Sequence, residues 1–134
     1  MSNQAFKSLG VLVAEDEDFS QKIVVMILTN LGFKKITVAK NGVQALEKLE
    51  SAVEPIHLVI SDIEMPEMGG FEFARRIRLG AVPKYKEVPI LMLTGHSTED
   101  NIMKGRIHRI QGFIVKPVST EILERNIIRA LHIK

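Results

Sequence analysis

Cysteine is absent from this chain of 134 residues, and its absence removes two classes of protein. Disulfide-stapled extracellular modules and thiolate metal centres both need cysteine, so neither can account for the sequence. No apolar stretch reaches the roughly 18 residues that cross a bilayer, and Met1–Gly10 lacks the apolar core of a signal peptide. We therefore expect a soluble cytoplasmic protein that does not engage a membrane.

A large excess of charge of either sign is also lacking. The chain has 18 basic and 16 acidic residues, a formal net charge of +2, and no long basic tract. This surplus is too small to indicate nucleic-acid binding, so we expect no direct contact with DNA or RNA. A chain of this length buries about two-thirds of its unfolded surface in one core. Because no linker or repeat interrupts it, we predict one domain over residues 1–134 and no output domain.

Short apolar runs alternate with segments of helical period along the whole chain. The runs are rich in Val and Ile, as buried strands are, and the longer segments repeat apolar residues every three or four positions. Strict alternation predicts an α/β fold with a parallel sheet covered on both faces. The predicted strands are Leu9–Ala14, Lys35–Ala39, Ile56–Ser61, Val88–Thr94 and Gly112–Val115, and the predicted helices are Asp18–Leu31, Asn41–Ser51, Gly70–Leu79, Thr98–Arg109 and Ser119–Ile133.

Asp62 is a carboxylate placed where a buried apolar strand stops. The segment behind it contains Pro66 and the pair Gly69 and Gly70, which favour a loop over a continued strand. Ligands of open parallel sheets lie at the carboxyl ends of the strands, so residues following the other strands should lie nearby. Those residues are Glu15, Asp16, Glu17 and Asp18 after the first strand, Thr94, Gly95 and His96 after the fourth, and Lys116 and Pro117 after the fifth.

Four segments in this order resemble the receiver domain of two-component response regulators, over essentially the whole chain. They are Val11–Glu17, Leu58–Gly70, Pro89–Gly95 and Gly112–Val118. The resemblance implies a three-layer, flavodoxin-like (βα)5 fold with strand order 2-1-3-4-5. It implies that Asp62 accepts a phosphoryl group from a histidine kinase or a histidine phosphotransfer protein. The other implied roles are Glu15 and Asp16 as the acidic pair for Mg²⁺, Thr94 as a phosphoryl ligand, Lys116 as the partner of the acyl phosphate, and the Glu64 backbone carbonyl as a metal ligand.

Elementary chemistry supports these roles independently. A transferring phosphoryl group spreads negative charge over three oxygens, so catalysis needs in-line positioning and nearby cations. Mg²⁺ prefers hard oxygen ligands and keeps several waters, which suits Asp16 and Asp62 as direct ligands and Glu15 acting through water. Taken singly, each residue has a plainer interpretation, as a helix N-terminus, a turn hydroxyl or a surface lysine. Their joint placement favours the functional one.

Regulation in such a domain needs an element that moves. By the same resemblance, Phe113 is the aromatic residue that turns inward when Thr94 moves towards the phosphoryl group; the alternative is a plain core aromatic. We expect a two-state surface formed by the fourth helix, fifth strand and fifth helix, with Lys104, Arg106 and Arg109 on or near it. Glu64, Gly95 and His96 occupy positions that could tune the phosphoryl lifetime, in a direction that the sequence leaves open.

Two alternatives come from other classes of protein. A phosphatase of the haloacid dehalogenase type also joins an aspartate, a threonine and a lysine around Mg²⁺. It needs a second aspartate two residues after the nucleophile, where this chain has Glu64. An interaction module that works without phosphorylation is the second, since a fold alone does not fix function. The main prediction is a receiver rather than a classical enzyme, monomeric or forming a phosphorylation-dependent dimer, that binds a downstream protein.

Overall fold

The computed structural model describes residues 4–95 and 99–132 and contains one parallel sheet between two layers of helices. The sheet order is β2-β1-β3-β4-β5, which confirms the predicted order. The strands are β1 (Gly10–Ala14), β2 (Lys35–Ala39), β3 (Leu58–Asp62), β4 (Ile90–Thr94) and β5 (Gly112–Val115). The helices are α1 (Asp18–Leu31), α2 (Gly42–Ser51), α3 (Gly70–Arg78), α4 (Glu99–Ile107) and α5 (Thr120–Leu131), and short 3-10 helices occupy Gln4–Ser8 and Pro83–Tyr85.

Each face of the sheet has its own hydrophobic core, because successive strand residues point to opposite faces. Val11 and Val13 of β1 join the core under α1 and α5, whereas Leu12 and Ala14 join the core under α2 and α3. All five residues of each of the strands β1, β3 and β4 are buried. A strand covered on both sides has no solvent face, which explains its unbroken apolar sequence.

The ends of several elements differ from the sequence prediction for local reasons. Val88 belongs to a turn after the second 3-10 helix, since its N–H donates to the Tyr85 carbonyl, and β4 therefore begins only at Ile90. Asn41 and Ser119 are N-caps whose side chains accept backbone N–H groups, so α2 and α5 each begin one residue later than predicted. Strand β3 runs from Leu58 to Asp62 rather than over Ile56–Ser61, and its last residue pairs with Leu93 of β4.

Helix α1 has the predicted bounds, Asp18–Leu31, and ends at Gly32. Gly32 adopts φ 116°, and the following Phe33 N–H donates to the Leu28 carbonyl, closing the helix as a left-handed glycine cap does. Phe33 then stacks on Phe6 of the first 3-10 helix with ring centroids 4.4 Å apart. Within the described residues, no helix is both long and apolar enough to span a membrane.

Candidate phosphoacceptor site

A polar cavity of about 650 Å³ opens at the carboxyl ends of β1, β3, β4 and β5. The parallel topology brings these ends together, so residues more than 100 positions apart in the chain face one another. The described residues lining the cavity are Glu15, Asp16, Glu17, Asp62, Ile63, Glu64, Thr94, Gly95, Asn101 and Lys116.

Three carboxylates form the acidic side of the cavity. Glu15, Asp16 and Asp62 each offer an oxygen within 4.8 Å of the other two. Glu15 is fully buried and Asp62 is 8% exposed, whereas Asp16 is exposed. Strand β1 fixes this geometry because the Glu15 N–H continues the ladder to the Ala39 carbonyl at 3.0 Å. Carboxylates held this close need a cation among them.

Lys116 supplies a cation to two of the three carboxylates. Its Nζ lies 2.7 Å from Glu15 Oε1 and 3.1 Å from Asp62 Oδ2. Burial opposes the charged form, but the hydrogen bonds that Lys116 donates to Glu15 and Asp62 outweigh it and raise the pKa of Lys116 above its ordinary value. The ammonium is therefore a fixed positive charge beside the Asp62 carboxylate.

The Asp62 carboxylate is oriented by its own backbone surroundings. The Ile63 N–H donates to Asp62 Oδ1 at 2.8 Å, and Lys116 occupies the other oxygen. Helix α3 begins in close contact with the end of β3, since a Cβ on Gly70 would lie 2.2 Å from the Asp62 carbonyl oxygen. Gly70 is therefore required for the close approach of α3 to the end of β3. From the sequence, Gly70 was predicted only to favour a loop.

Hard oxygen donors in this arrangement fit Mg²⁺. The ion takes one or two carboxylates and completes its octahedron with water and phosphoryl oxygens. Lys116 contacts Glu15 and Asp62, whereas the exposed Asp16 carboxylate lines the open cavity. Glu64 also lines the cavity. The donor set therefore suits the predicted ion.

Thr94 and Gly95 form the opposite wall. Thr94 is the last residue of β4 and is buried, and its carbonyl accepts the Lys116 N–H at 2.8 Å. A Cβ on Gly95 would meet no atom of the described residues within 4 Å. His96, the remaining predicted tuning residue, lies outside the described residues.

Phe113 does not line the cavity. Its half-buried ring packs against Phe71 of α3, with centroids 6.3 Å apart, and against α4 at Gly105. Asn101 in the first turns of α4 does line the cavity and was missed by the sequence analysis. The sequence could have indicated this contact, because Asn101 lies at the start of a predicted helix that follows the strand-end residue Thr94 after a short connection.

Comparison with known proteins agrees with this geometry. The family model described as the response regulator receiver domain matches residues 11–128. The chemotaxis protein CheY homolog of Campylobacter jejuni is 30% identical over 119 residues, which cover 89% of each chain. The structure of Vibrio cholerae chemotaxis protein CheY4 has a TM-score of 0.83 at 32% identity and covers 92% of this chain and 98% of its own.

The chain therefore belongs to the response regulator receiver family. It is also similar to the CheX–CheY–BeF3–Mg²⁺ complex from Borrelia burgdorferi, with a TM-score of 0.83 at 26% identity, covering 94% of this chain and 90% of that one. These comparisons make it a CheY-like signalling protein of two-component systems and do not favour a phosphatase of the haloacid dehalogenase type. Receiver domains bind Mg²⁺ at the acidic pocket, which here is the cluster of Glu15, Asp16 and Asp62.

Proposed function

We propose that the chain is a phosphoacceptor receiver in which Asp62 takes a phosphoryl group from a phosphohistidine. The observation that carries the proposal is the placement of Asp62 beside two other carboxylates, Glu15 and Asp16, and beside an ammonium, with Lys116 Nζ 3.1 Å from Asp62 Oδ2. The donor is a histidine kinase or a histidine phosphotransfer protein. In this role the protein is not a classical enzyme, since it is itself the phosphoryl acceptor.

The transfer forms one bond and breaks one. A carboxylate oxygen of Asp62 attacks the phosphorus, the P–N bond breaks, and the imidazole leaves with the electron pair and takes up a proton. Lys116 stays beside the acyl phosphate and stabilises its negative charge, and the Thr94 hydroxyl binds a phosphoryl oxygen. Asp16 and Asp62 would hold Mg²⁺ with the Glu64 carbonyl, and Glu15 would act through water. An ion bound there would supply positive charge to the carboxylates and the phosphoryl oxygens.

The output surface is formed by α4, β5 and α5. Apolar side chains of these elements are exposed, and so are basic side chains of α4 and of the residues just after it. The exposed apolar residues are Ile102, Met103, Ile107, Val115 and Ile122, and the basic residues are Lys104, Arg106 and Arg109. Phosphorylation would change this surface through Thr94 and Phe113, for binding of a downstream protein, for phosphorelay or for dimer formation. We place the protein in the cytoplasm, with residues 1–134 forming a receiver domain.

Labelling with a small phosphoryl donor tests the acceptor. The parent, incubated with acetyl phosphate and Mg²⁺, should gain one phosphoryl group, and peptide mass spectrometry after borohydride reduction should locate it at residue 62. Asp62→Asn should abolish the label, and chelation of Mg²⁺ should suppress it. Asp100→Asn is the matched control, because Asp100 is an exposed aspartate of α4 outside the cavity lining. Labelling that persists in Asp62→Asn would overturn the proposal in favour of a module that works without phosphorylation.

The response to a phosphoryl mimic tests the output surface. Addition of beryllium fluoride with Mg²⁺ should shift NMR signals of α4 and β5 as well as those of the loops around Asp62. A ligand moves an equilibrium from 1:99 to 99:1 only if it favours one state by about 5.5 kcal/mol, so partial shifts are also informative. Shifts confined to the cavity would contradict the proposed switch but not phosphorylation itself. Glu64→Asn and His96→Ala should change the autodephosphorylation rate if these residues tune the phosphoryl lifetime.

A further inference from the structure

The loop between β3 and α3 carries the Glu64 carbonyl, and its middle is attached to the start of α2. At its two ends the loop is closed locally: the Ile63 N–H donates to the Leu93 carbonyl at 3.2 Å, and the Gly70 N–H donates to the Ile63 carbonyl at 2.8 Å. Between these ends the chain must cross from the cavity to the core. The contacts that hold this part of the loop therefore determine the position of the Glu64 backbone.

Two hydrogen bonds from the start of α2 hold the middle of the loop. Asn41 Nδ2 donates to Glu67 Oε2 at 3.1 Å, and the Gly42 N–H donates to the Met68 carbonyl at 2.9 Å. Asn41 is buried, and Met68 packs into the core under α2 and α3. A Cβ on Gly42 would lie 2.7 Å from Met68 Cγ, so glycine is needed for this close contact.

Glu67 adopts a backbone conformation that needs such support. Its φ of 66° is left-handed, which costs a residue with a side chain free energy unless its surroundings hold it there. The turn at Glu67 sends Met68 into the core and leaves Glu64, three residues earlier, facing the cavity. The Asn41 amide is the side-chain partner that the structure gives to the Glu67 carboxylate.

We propose that Asn41 and Glu67 are positioning residues of the magnesium site: their hydrogen bond holds the β3–α3 loop so that Glu64 presents its carbonyl to the acidic cluster. The inference rests on the proposed function, since it concerns the same ion. Neither residue touches the cavity, and both act through the backbone of the loop. Residues that orient metal ligands typically affect metal affinity by about tenfold or more.

A reciprocal pair of substitutions separates this role from the cap of α2. Asn41 Oδ1 also accepts the Gln44 N–H at 2.9 Å, and Asn41→Asp keeps that acceptor while replacing the donor to Glu67 with a second carboxylate. Glu67→Gln keeps an oxygen acceptor and serves as the matched control. In the double variant Asn41→Asp/Glu67→Gln the bond is restored in the opposite direction, and the net charge equals that of the parent.

The measurement is the Mg²⁺ dissociation constant by isothermal titration calorimetry, with amide hydrogen exchange of the metal-free protein as the second readout. We expect Asn41→Asp to raise the dissociation constant about tenfold and to speed exchange of the Gly42 amide, with parent values in Glu67→Gln and in the double variant. An added negative charge acting at long range would instead tighten Mg²⁺ binding, so the sign separates the two explanations. Glu67→Ala, which leaves α2 untouched, should weaken binding as Asn41→Asp does.

The outcomes also separate this inference from the proposed function. If the parent binds no Mg²⁺ at the acidic cluster, the proposed function fails together with the ion on which it depends. If the parent binds Mg²⁺ and Asn41→Asp binds it equally well, the positioning role is overturned and the proposed function stands. Thermal unfolding of each variant checks the cap, and a weakened site in Asn41→Asp that the double variant does not restore also overturns the positioning role.

Discussion

Helices α3 and α4 are neighbours that differ in what they bury. Helix α3 buries Phe73, Ala74 and Ile77 together with the side chain of Arg78. In α4, by contrast, Gly105 is the only buried residue among positions 100–107, the described side chains of that helix. The apolar residues of α4 are exposed, at 41% for Ile102, 63% for Met103 and 67% for Ile107.

The difference shows how one fold can combine a rigid site with a responsive surface. Burial of apolar area supplies most of the stability of a helix in a protein, so α3 is held by the core and α4 is not. Contacts of other kinds hold α4. Lys104 Nζ lies over the Phe71 ring, 5.6 Å from its centroid, and the Arg78 guanidinium donates to the carbonyls of His108 and Arg109, which follow the last turn of α4. Elements that move in signalling are drawn from the less stable parts of a fold. Helix α4 lines the cavity through Asn101 and meets this description.

Removal of the Arg78 clamp should have the largest effect on this comparison. The guanidinium donates to the carbonyls of Lys86, His108 and Arg109 at 2.9, 2.9 and 3.0 Å, and its side chain is buried. Arg78→Met would leave these acceptors without their charged donor, and we expect a loss of about 3 kcal/mol in the free energy of unfolding. Urea denaturation followed by circular dichroism measures it.

The controls for Arg78 come from the same helix. Arg75 and Arg76 are exposed and form ion pairs with the partly exposed Glu72, so Arg75→Met and Arg76→Met should stay close to the parent. Hydrogen exchange adds a local readout, because Arg78→Met should speed exchange in α4 more than in α1. Equal destabilisation by Arg78→Met and Arg76→Met would show that the clamp does not hold α4.

Gly105→Ala should have an effect whose sign depends on Phe113. A Cβ at Gly105 would lie 2.4 Å from Phe113 Cε2, so we expect overpacking to cost about 1–2 kcal/mol in the parent. In a Phe113→Ala background the clash is gone, and the better helix propensity of alanine should stabilise the protein by about 1 kcal/mol. A double-mutant cycle from denaturation curves measures the coupling. Destabilisation of the same size in both backgrounds would show that the ring does not occupy the space beside α4.

The sequence predicted the strand-end residues because topology alone brings them together. Parallel order places the ends of β1, β3, β4 and β5 at one edge, so Asp16, Asp62, Thr94 and Lys116 share a cavity whatever their rotamers. Their roles in phosphorylation stay predictions. The order and type of the elements were confirmed for a different reason: hydrophobic period and turn residues are local signals in the sequence.

Arg78 and Asn41 were not predicted as supports, because their partners leave no local pattern. The acceptors of Arg78 lie 8, 30 and 31 residues away in the chain, and all are backbone carbonyls, which any residue carries. Asn41 and Glu67 are 26 residues apart, and nothing in either segment indicates the pairing. Val88 was placed in a strand by its apolar character, whereas a hydrogen bond to the Tyr85 carbonyl holds it in a turn.

Gly95→Ala is the matched substitution before the N-terminus of α4. Its effect on the free energy of unfolding should be smaller than that of Gly105→Ala and of opposite sign. Among residues 4–95 and 99–132, a Cβ at Gly95 meets no atom within 4 Å, and the φ of Gly95 lies outside the left-handed region. Alanine at such a position restricts the unfolded chain and should stabilise the protein by about 0.5 kcal/mol. Parallel denaturation of the two alanine variants makes the comparison. Destabilisation by Gly95→Ala would mean that the open space beside Thr94 is needed for folding.

The smallest effect should be a pH dependence at the end of α4. Burial, reinforced by the charge of Arg75, lowers the pKa of His108, and Glu72 opposes this only in part. The unfolded chain therefore binds more protons than the folded one near pH 6.5, so stability should fall as the pH is lowered through that ordinary value. The fall should be shallower in His108→Asn, and the difference between the two slopes isolates this residue from other titrating groups.

Because His108 follows the last turn of α4 and lies 6.2 Å from the Phe71 ring, protonation should speed hydrogen exchange in α4 before α3. Identical slopes for the parent and His108→Asn would show that protonation of His108 does not destabilise the protein.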